Sequence, residues 1–123
     1  MKFIAYLSIF FVSFSIFSQA KNSELEKIDA LLEAIRTSDV VFIRNGDEHN
    51  SLDAYKHLKR KLKSVQRSWF TPPKEKWTAE LFIEKIASKS SLSGKAYLVR
   101  LKNGEIIEAK TWLTNHLKKI SKD

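Results

Sequence analysis

The 123-residue chain contains no cysteine, two prolines, three glycines and one methionine. Without cysteine there is no disulfide, no lipid attachment at an N-terminal thiol and no thiolate metal site. The prolines are adjacent, Pro72-Pro73, so they interrupt the chain once. The glycines stand in Asn45-Gly46, Ser93-Gly94 and Asn103-Gly104, and none belongs to a Gly-x-Ser-x-Gly elbow or a Gly-x-x-x-x-Gly-Lys phosphate loop. No His-Glu-x-x-His occurs, and no Ser-x-x-Lys occurs after residue 20. The longest apolar run, Phe3 to Phe17, is shorter than the about 20 residues that cross a hydrocarbon core. Internal repeats and low-complexity tracts are also missing.

That apolar run is nonetheless informative. It follows Met1-Lys2 and precedes Ser18-Gln19-Ala20, the charge, apolar and small-residue layout of a secretory signal peptide. Residues 1–20 are therefore expected to be a leader cleaved after Ala20, and residues 21–123 a single domain in the periplasm or secreted, with no stable membrane insertion after cleavage. Acidic residues are in deficit, 14 against 22 Lys and Arg, and losing Lys2 with the leader lowers the formal +8 to +7. Such a balance favours acidic envelope components, among them anionic lipid head groups, lipopolysaccharide phosphates and acidic polymers, or an acidic protein partner. Export argues against nucleic acid. A plain solubilising role accounts for the same charge.

The remaining pattern is mainly helical. Ser23-Glu24-Leu25-Glu26 has the form of a capping box, and Leu25, Ile28, Leu31, Leu32 and Ile35 predict a helix from Glu24 to about Arg36. Val40 to Arg44 reads as a strand running into the Asn45-Gly46 turn. A second helix starts at Asn50 or Ser51 and ends near Ser68, with Leu52, Tyr55, Leu58, Leu62, Val65 and Trp69 as its apolar stripe. Thr78 caps a third helix that buries Leu81, Phe82, Ile83, Ile86 and Ala87. A Ser-rich loop follows over residues 88–94, then strands at 96–101 and 105–107 about the Asn103-Gly104 turn. A last helix spans about 110–121 and buries Trp112, Leu113, Leu117 and Ile120. The expected fold is α+β, mainly α: four helices on one core with a small antiparallel sheet or hairpin.

Several stretches together carry a resemblance. They are residues 42–49, then Ala54 with His57-Leu58-Lys59 and Lys61, then Thr78-Ala79-Glu80 with Phe82-Ile83, then Ile86 to Ser91 and Ser93 to Tyr97. In this order they resemble the YfeK-like family of small exported bacterial proteins, a domain of unknown function (family 5329), over about residues 24–120. Gly94-Lys95-Ala96-Tyr97 replaces the family's Gly-Lys-Pro-Tyr, and the Trp69 to Trp77 linker is longer. The resemblance implies a signal peptide and, in Gram-negative bacteria, a periplasmic home, and it carries over no activity; no cofactor or metal is expected. It directs attention to Asn45, Gly46, His57, Lys61, Ser88, Ser90, Ser91, Gly94 and Tyr97.

On the second helix, Asp53, Lys61 and Ser64 fall within roughly 40° of His57, a polar stripe beside the apolar one. Lys56, Lys59, Arg60, Lys63 and Arg67 form a separate cationic face. One chemistry for the stripe has Asp53 orienting His57 toward a hydroxyl of the 88–93 loop, as in a small hydrolase or transferase. The alternatives are i,i+4 contacts on a solvated face, or His57 tying the Asn45-Gly46 turn to the helix. Ser88, Ser90, Ser91 and Ser93 with Gly94 either cradle an anion, aided by Lys89 and Lys95, or close a helix end. Asp47, Glu48, His49, Asp53 and His57 hold metal-ligating atoms without a metal-binding spacing. Trp69, Trp77 and Trp112 read as core anchors before a sugar-stacking platform, and His116 as a packing or solvated residue. The favoured reading is a non-enzymatic binding or accessory domain that uses the basic helix.

Overall fold

A computed structural model of the protein describes residues 15–68 and 73–122. Helix α1 (Ser15–Thr37) is followed by strands β1 (Val41–Arg44) and β2 (Asp47–His49) and helix α2 (Ser51–Gln66). After a 3₁₀ turn at Lys74–Lys76 comes α3 (Ala79–Phe82), which runs into a π-helical turn at Ile83–Ala87. Strands β3 (Leu98–Arg100) and β4 (Ile106–Glu108) and helix α4 (Ala109–Lys122) complete the order. Four helices and a four-stranded antiparallel sheet make the fold α+β, mainly α. Among the described residues no helix is long and apolar enough to cross a membrane.

The apolar spacing of α1 places Ile28, Leu31, Leu32 and Ile35 in the core, against α2, α3 and α4. Its start departs from the predicted capping box. The helix begins at Ser15, ahead of Ser23, because residues 15–22 contain no Pro or Gly to stop it. Glu24 caps another element instead: its carboxylate accepts the Ala79 N–H at 3.0 Å, while Thr78 Oγ1 accepts from Leu81 N at 3.0 Å. Two of the unpaired donors at the start of α3 are thereby satisfied. The backbone donor, with Lys27 beside it, holds the Glu24 carboxyl below its usual range. The leader expected over residues 1–20 lies outside the described residues up to residue 14, and α1 takes up the rest.

Helix α2 starts as predicted, with Asn50 Oδ1 accepting from Asp53 N at 2.8 Å. Ala54, Leu58 and Leu62 are buried, with Tyr55 and Val65 half-buried beside them. Leu52 does not join them and is 46% exposed. At 100° per residue it falls roughly 120° from Leu58, outside the stripe. Trp69 lies outside the described residues. Trp77 and Trp112 are core anchors, the latter edge-on to Phe42 at 5.7 Å, and His116 packs on Trp112 at 4.2 Å.

The sheet has the order β2-β1-β3-β4. Its second strand was not foreseen, because Asp47-Glu48-His49 lacks the β-branched or aromatic character of a strand. Asn45 (φ 52°) and Gly46 (φ 83°) form the two-residue turn that returns it, a geometry that Gly accepts without strain. The register aligns His49, Phe42, Val99 and Ile107 in one row. Phe42 and Val99 are buried, so this row faces the helices, and alternation puts Arg44 on the same side. Glu48 projects from the other face and pairs with Arg100.

Candidate functional site

Between the inner sheet face and α2 the structure leaves a cleft of about 270 Å³. Its floor is apolar: Phe42, Ala54, Leu58, Ala87 and Leu113. Strand alternation brings Phe42, Arg44 and His49 to it, helical spacing brings Asp53, Ala54, His57 and Leu58, and the π turn supplies Ala87. Its lip carries Arg44, Lys56, Arg60, Asp53, the two imidazoles His49 and His57, and Tyr97.

His57 is the centre of the polar wall. Arg44 Nη1 stands 3.3 Å from its Nδ1 and 3.4 Å from its Nε2, and Tyr97 Oη lies 3.2 Å from Nε2. Lys61 Nζ donates to Tyr97 Oη at 3.2 Å and to the Lys89 carbonyl at 2.9 Å. Arg44 and Lys61 can only donate. Two assignments serve: Nδ1 accepts from Arg44 while Nε2–H donates to Tyr97 Oη, or Nε2 accepts from Arg44 and from the Tyr97 O–H; in either, Tyr97 Oη accepts from Lys61. The ring is then neutral. Burial, with Arg44, Lys61, Arg60 and His49 nearby, lowers the His57 pKa to about 4. Burial and Arg44 lower that of Lys61, and burial raises that of Tyr97 against the opposing effect of Arg44.

Charge here is unbalanced. Among the described residues no salt bridge involves Arg44, Lys56, Arg60 or Lys61. Among the described hydrogen bonds and ion pairs none joins Asp53 to His57, whose ring instead meets Arg44 and Tyr97. His49 lines the cleft, and its Nε2, closed to solvent, has no hydrogen-bond partner among the described residues.

The Ser-rich loop forms a second, separate knot. Ser90, 5% exposed, receives Asn45 Nδ2 (3.3 Å), Leu92 N (3.3 Å) and Ser93 N (3.4 Å) on its Oγ. Ser93 Oγ makes a short bond to Asn45 Oδ1 and accepts from Lys95 N at 3.1 Å. Gly94, at φ +74°, donates to the Ser90 carbonyl at 3.0 Å. The N–H groups that an anion cradle would offer are thus taken up by the loop's own oxygens. Ser88 Oγ caps the preceding turn through Glu84 O at 2.6 Å, and Ser91 is exposed. Among the described hydrogen bonds none links a serine of this loop to His57, and the serine–imidazole pairing required of a hydrolase is missing from the network. His57 also meets Arg44 and Tyr97 rather than the Asn45-Gly46 turn.

The residues singled out by sequence therefore divide. Asn45, Gly46, Ser90 and Gly94 belong to the knot, while His57, Lys61 and Tyr97 belong to the cleft wall. Asp53 stands on the lip, and Ser88 and Ser91 belong to neither. Lys56 and Arg60 of the cationic face reach the lip, while Lys59, Lys63 and Arg67 are exposed. Arg44 was not singled out, His49 was weighed only as a metal ligand, and Leu58, Ala87 and Leu113 of the floor were read as core, although the alternation of Phe42 with Arg44 was a usable signal. Among the described residues no group of three metal-ligating side chains is placed to hold an ion. Strand alternation alone sends Glu48 and His49 to opposite faces.

Fold and site together define a small, mainly helical α+β domain with a cation-lipped cleft. The chain belongs to the family of unknown function DUF5329, whose model matches residues 22–121. Over 75 residues it is 41% identical to "Uncharacterized protein YfeK" of Salmonella typhimurium, a match that takes in 60% of this chain and 57% of that protein. The chain thus covers little more than half the length of this relative. No solved structure matches significantly.

Proposed function

We propose that the protein is an exported, non-enzymatic binding domain that docks on an acidic envelope surface through the cationic face of α2. One observation carries the reading. Lys56, Lys59, Arg60, Lys63 and Arg67 are all exposed, they repeat at i,i+3 and i,i+4, and among the described residues none is ion-paired. Like charges at that spacing weaken a helix by about 0.2–0.5 kcal/mol per pair. Such an arrangement gives the helix nothing locally and is relieved when anionic groups lie against it. Export by the leader-like residues 1–20 would bring the domain to such a surface.

Near an anionic membrane each Lys or Arg contributes about 1 kcal/mol. The test is cosedimentation with phosphatidylglycerol vesicles and with phosphatidylcholine vesicles. Binding is expected on the anionic vesicles at low salt, with loss at high salt because screening shortens the reach of the charges. Lys59→Glu with Lys63→Glu should weaken it at least tenfold. Salt-insensitive binding, or equal binding by the double variant, overturns the reading.

A further inference from the structure

The cleft beside α2 shares Lys56 and Arg60 with the cationic face, but it opens onto an apolar floor and calls for a different ligand. We propose that it is a binding site for a small amphipathic carboxylate, its head group on Arg44 and Tyr97 and its apolar body on Phe42, Leu58 and Leu113. The lip offers more donors than acceptors. The guanidinium has five N–H groups and engages only His57 among the described hydrogen bonds. In the tautomer whose Nε2–H donates to Tyr97 Oη, the Tyr97 O–H is left to donate to a ligand. His49 lies diagonally across the hairpin from Arg44, within the reach of long side chains, and its Nε2 is closed to solvent and without a partner among the described residues. A carboxylate offers the lone pairs that the open N–H groups of Arg44 lack.

Size and charge narrow the class. An engineered cavity of about 150 Å³ takes up benzene, so about 270 Å³ has room for a ring or short chain together with a head group. Lys56 and Arg60 are exposed and screened by water, leaving Arg44 as the half-buried cation of the lip. Asp53 stands on the same lip and opposes a second negative charge on the ligand. The site therefore suits a monoanion. Arg44 matches a carboxylate in a two-pronged bond.

Calorimetric and NMR titrations of the whole protein with 3-phenylpropionate, 3-phenylpropanol, acetate and 3-phenylpropylphosphonate test the proposal. The carboxylate should bind saturably and shift the amides of β1, β2 and the first two turns of α2. The alcohol, acetate and the phosphonate should each bind at least tenfold more weakly. Arg44→Met, which keeps the apolar stem, should also lose at least tenfold. Lys59→Glu with Lys63→Glu should leave the titration unchanged, which separates this site from vesicle docking. Equal binding of acid and alcohol overturns the proposal, as does acetate binding as well as 3-phenylpropionate, a preferred phosphonate, or the absence of saturation. These comparisons use the unaltered protein, so a poorly folded Arg44→Met variant does not obscure the result.

Discussion

Two polar clusters flank the hairpin turn, and they differ in how completely their bonds are made. On one side Asn45, Ser90 and Ser93 interlock, and the loop's N–H groups have oxygens to meet. On the other, Arg44, His57, Lys61 and Tyr97 bring more cations and donors than acceptors, and His49 Nε2 has no partner. A saturated cluster stabilises the fold and offers nothing to a ligand. An unsaturated one at a cleft is poised to accept what it lacks. The polar motifs of the sequence are thus a structural half and an open half, joined by the short span from Ser88 to Tyr97, where Tyr97 N donates to Ser88 O at 3.0 Å.

The contrast is sharpest when the saturated side is broken. Ser90→Ala removes one buried acceptor from three donors. At about 1–3 kcal/mol for a polar group left unpaired, the expected cost is about 2 kcal/mol. In a domain of this size that lowers the melting temperature by roughly 10 °C. Binding of 3-phenylpropionate to the surviving folded protein should be unchanged. Loss of that binding with little change in melting would reverse the roles of the two clusters.

Next in size is Gly46→Ala. No atom lies within 4 Å of the added Cβ, so the cost comes from the backbone alone. An L-residue in the left-handed region costs about 1–2 kcal/mol. The turn places both Asn45 in the knot and Arg44 at the cleft. Urea unfolding should therefore report a loss of stability, while the cleft, held by α2 and β3 as well, keeps its ligand. A neutral outcome shows that the turn accepts another geometry and does not fix Asn45.

Much of this fold was legible because its signals are local and periodic. The Leu58-Leu62 stripe, the Asn50 and Thr78 caps and the Trp112-Leu113-Leu117 face depend on neighbours within a turn or two. What escaped depends on long range or on polarity. Glu24 reaches Ala79 across 55 positions, so its local capping-box pattern misled. Strand β2 is polar because it is an edge, and only its pairing with β1 makes it a strand. At the site, helical geometry grouped His57 with Lys61 and also with Asp53, and the structure keeps the first pair on Tyr97 and leaves the last on the lip. Arg44 was hidden in a strand whose neighbours are apolar, where only alternation reveals that it shares a face with Phe42.

The smallest expected effect concerns protons, and it probes the unsaturated side directly. His57 is lowered to about 4 in the fold, by burial first and then by Arg44, Lys61, Arg60 and His49. Its ordinary value is 6.5. Above pH 6.5 the ring is neutral in both folded and unfolded chains and contributes no pH dependence. As pH falls below 6.5 the unfolded chain takes up the proton first, so stability declines, and the decline from this group ends near pH 4, where the folded ring is protonated as well. Comparing urea midpoints at neutral and mildly acidic pH, the native protein should lose more stability than His57→Gln. A bound carboxylate reverses part of the cause, since an anion beside Arg44 favours the imidazolium. NMR titration of the ring should accordingly move upward when 3-phenylpropionate saturates the cleft. An imidazole that titrates near 6.5 in the free protein would mean that this wall is wet and balanced, and the distinction between the two clusters would collapse.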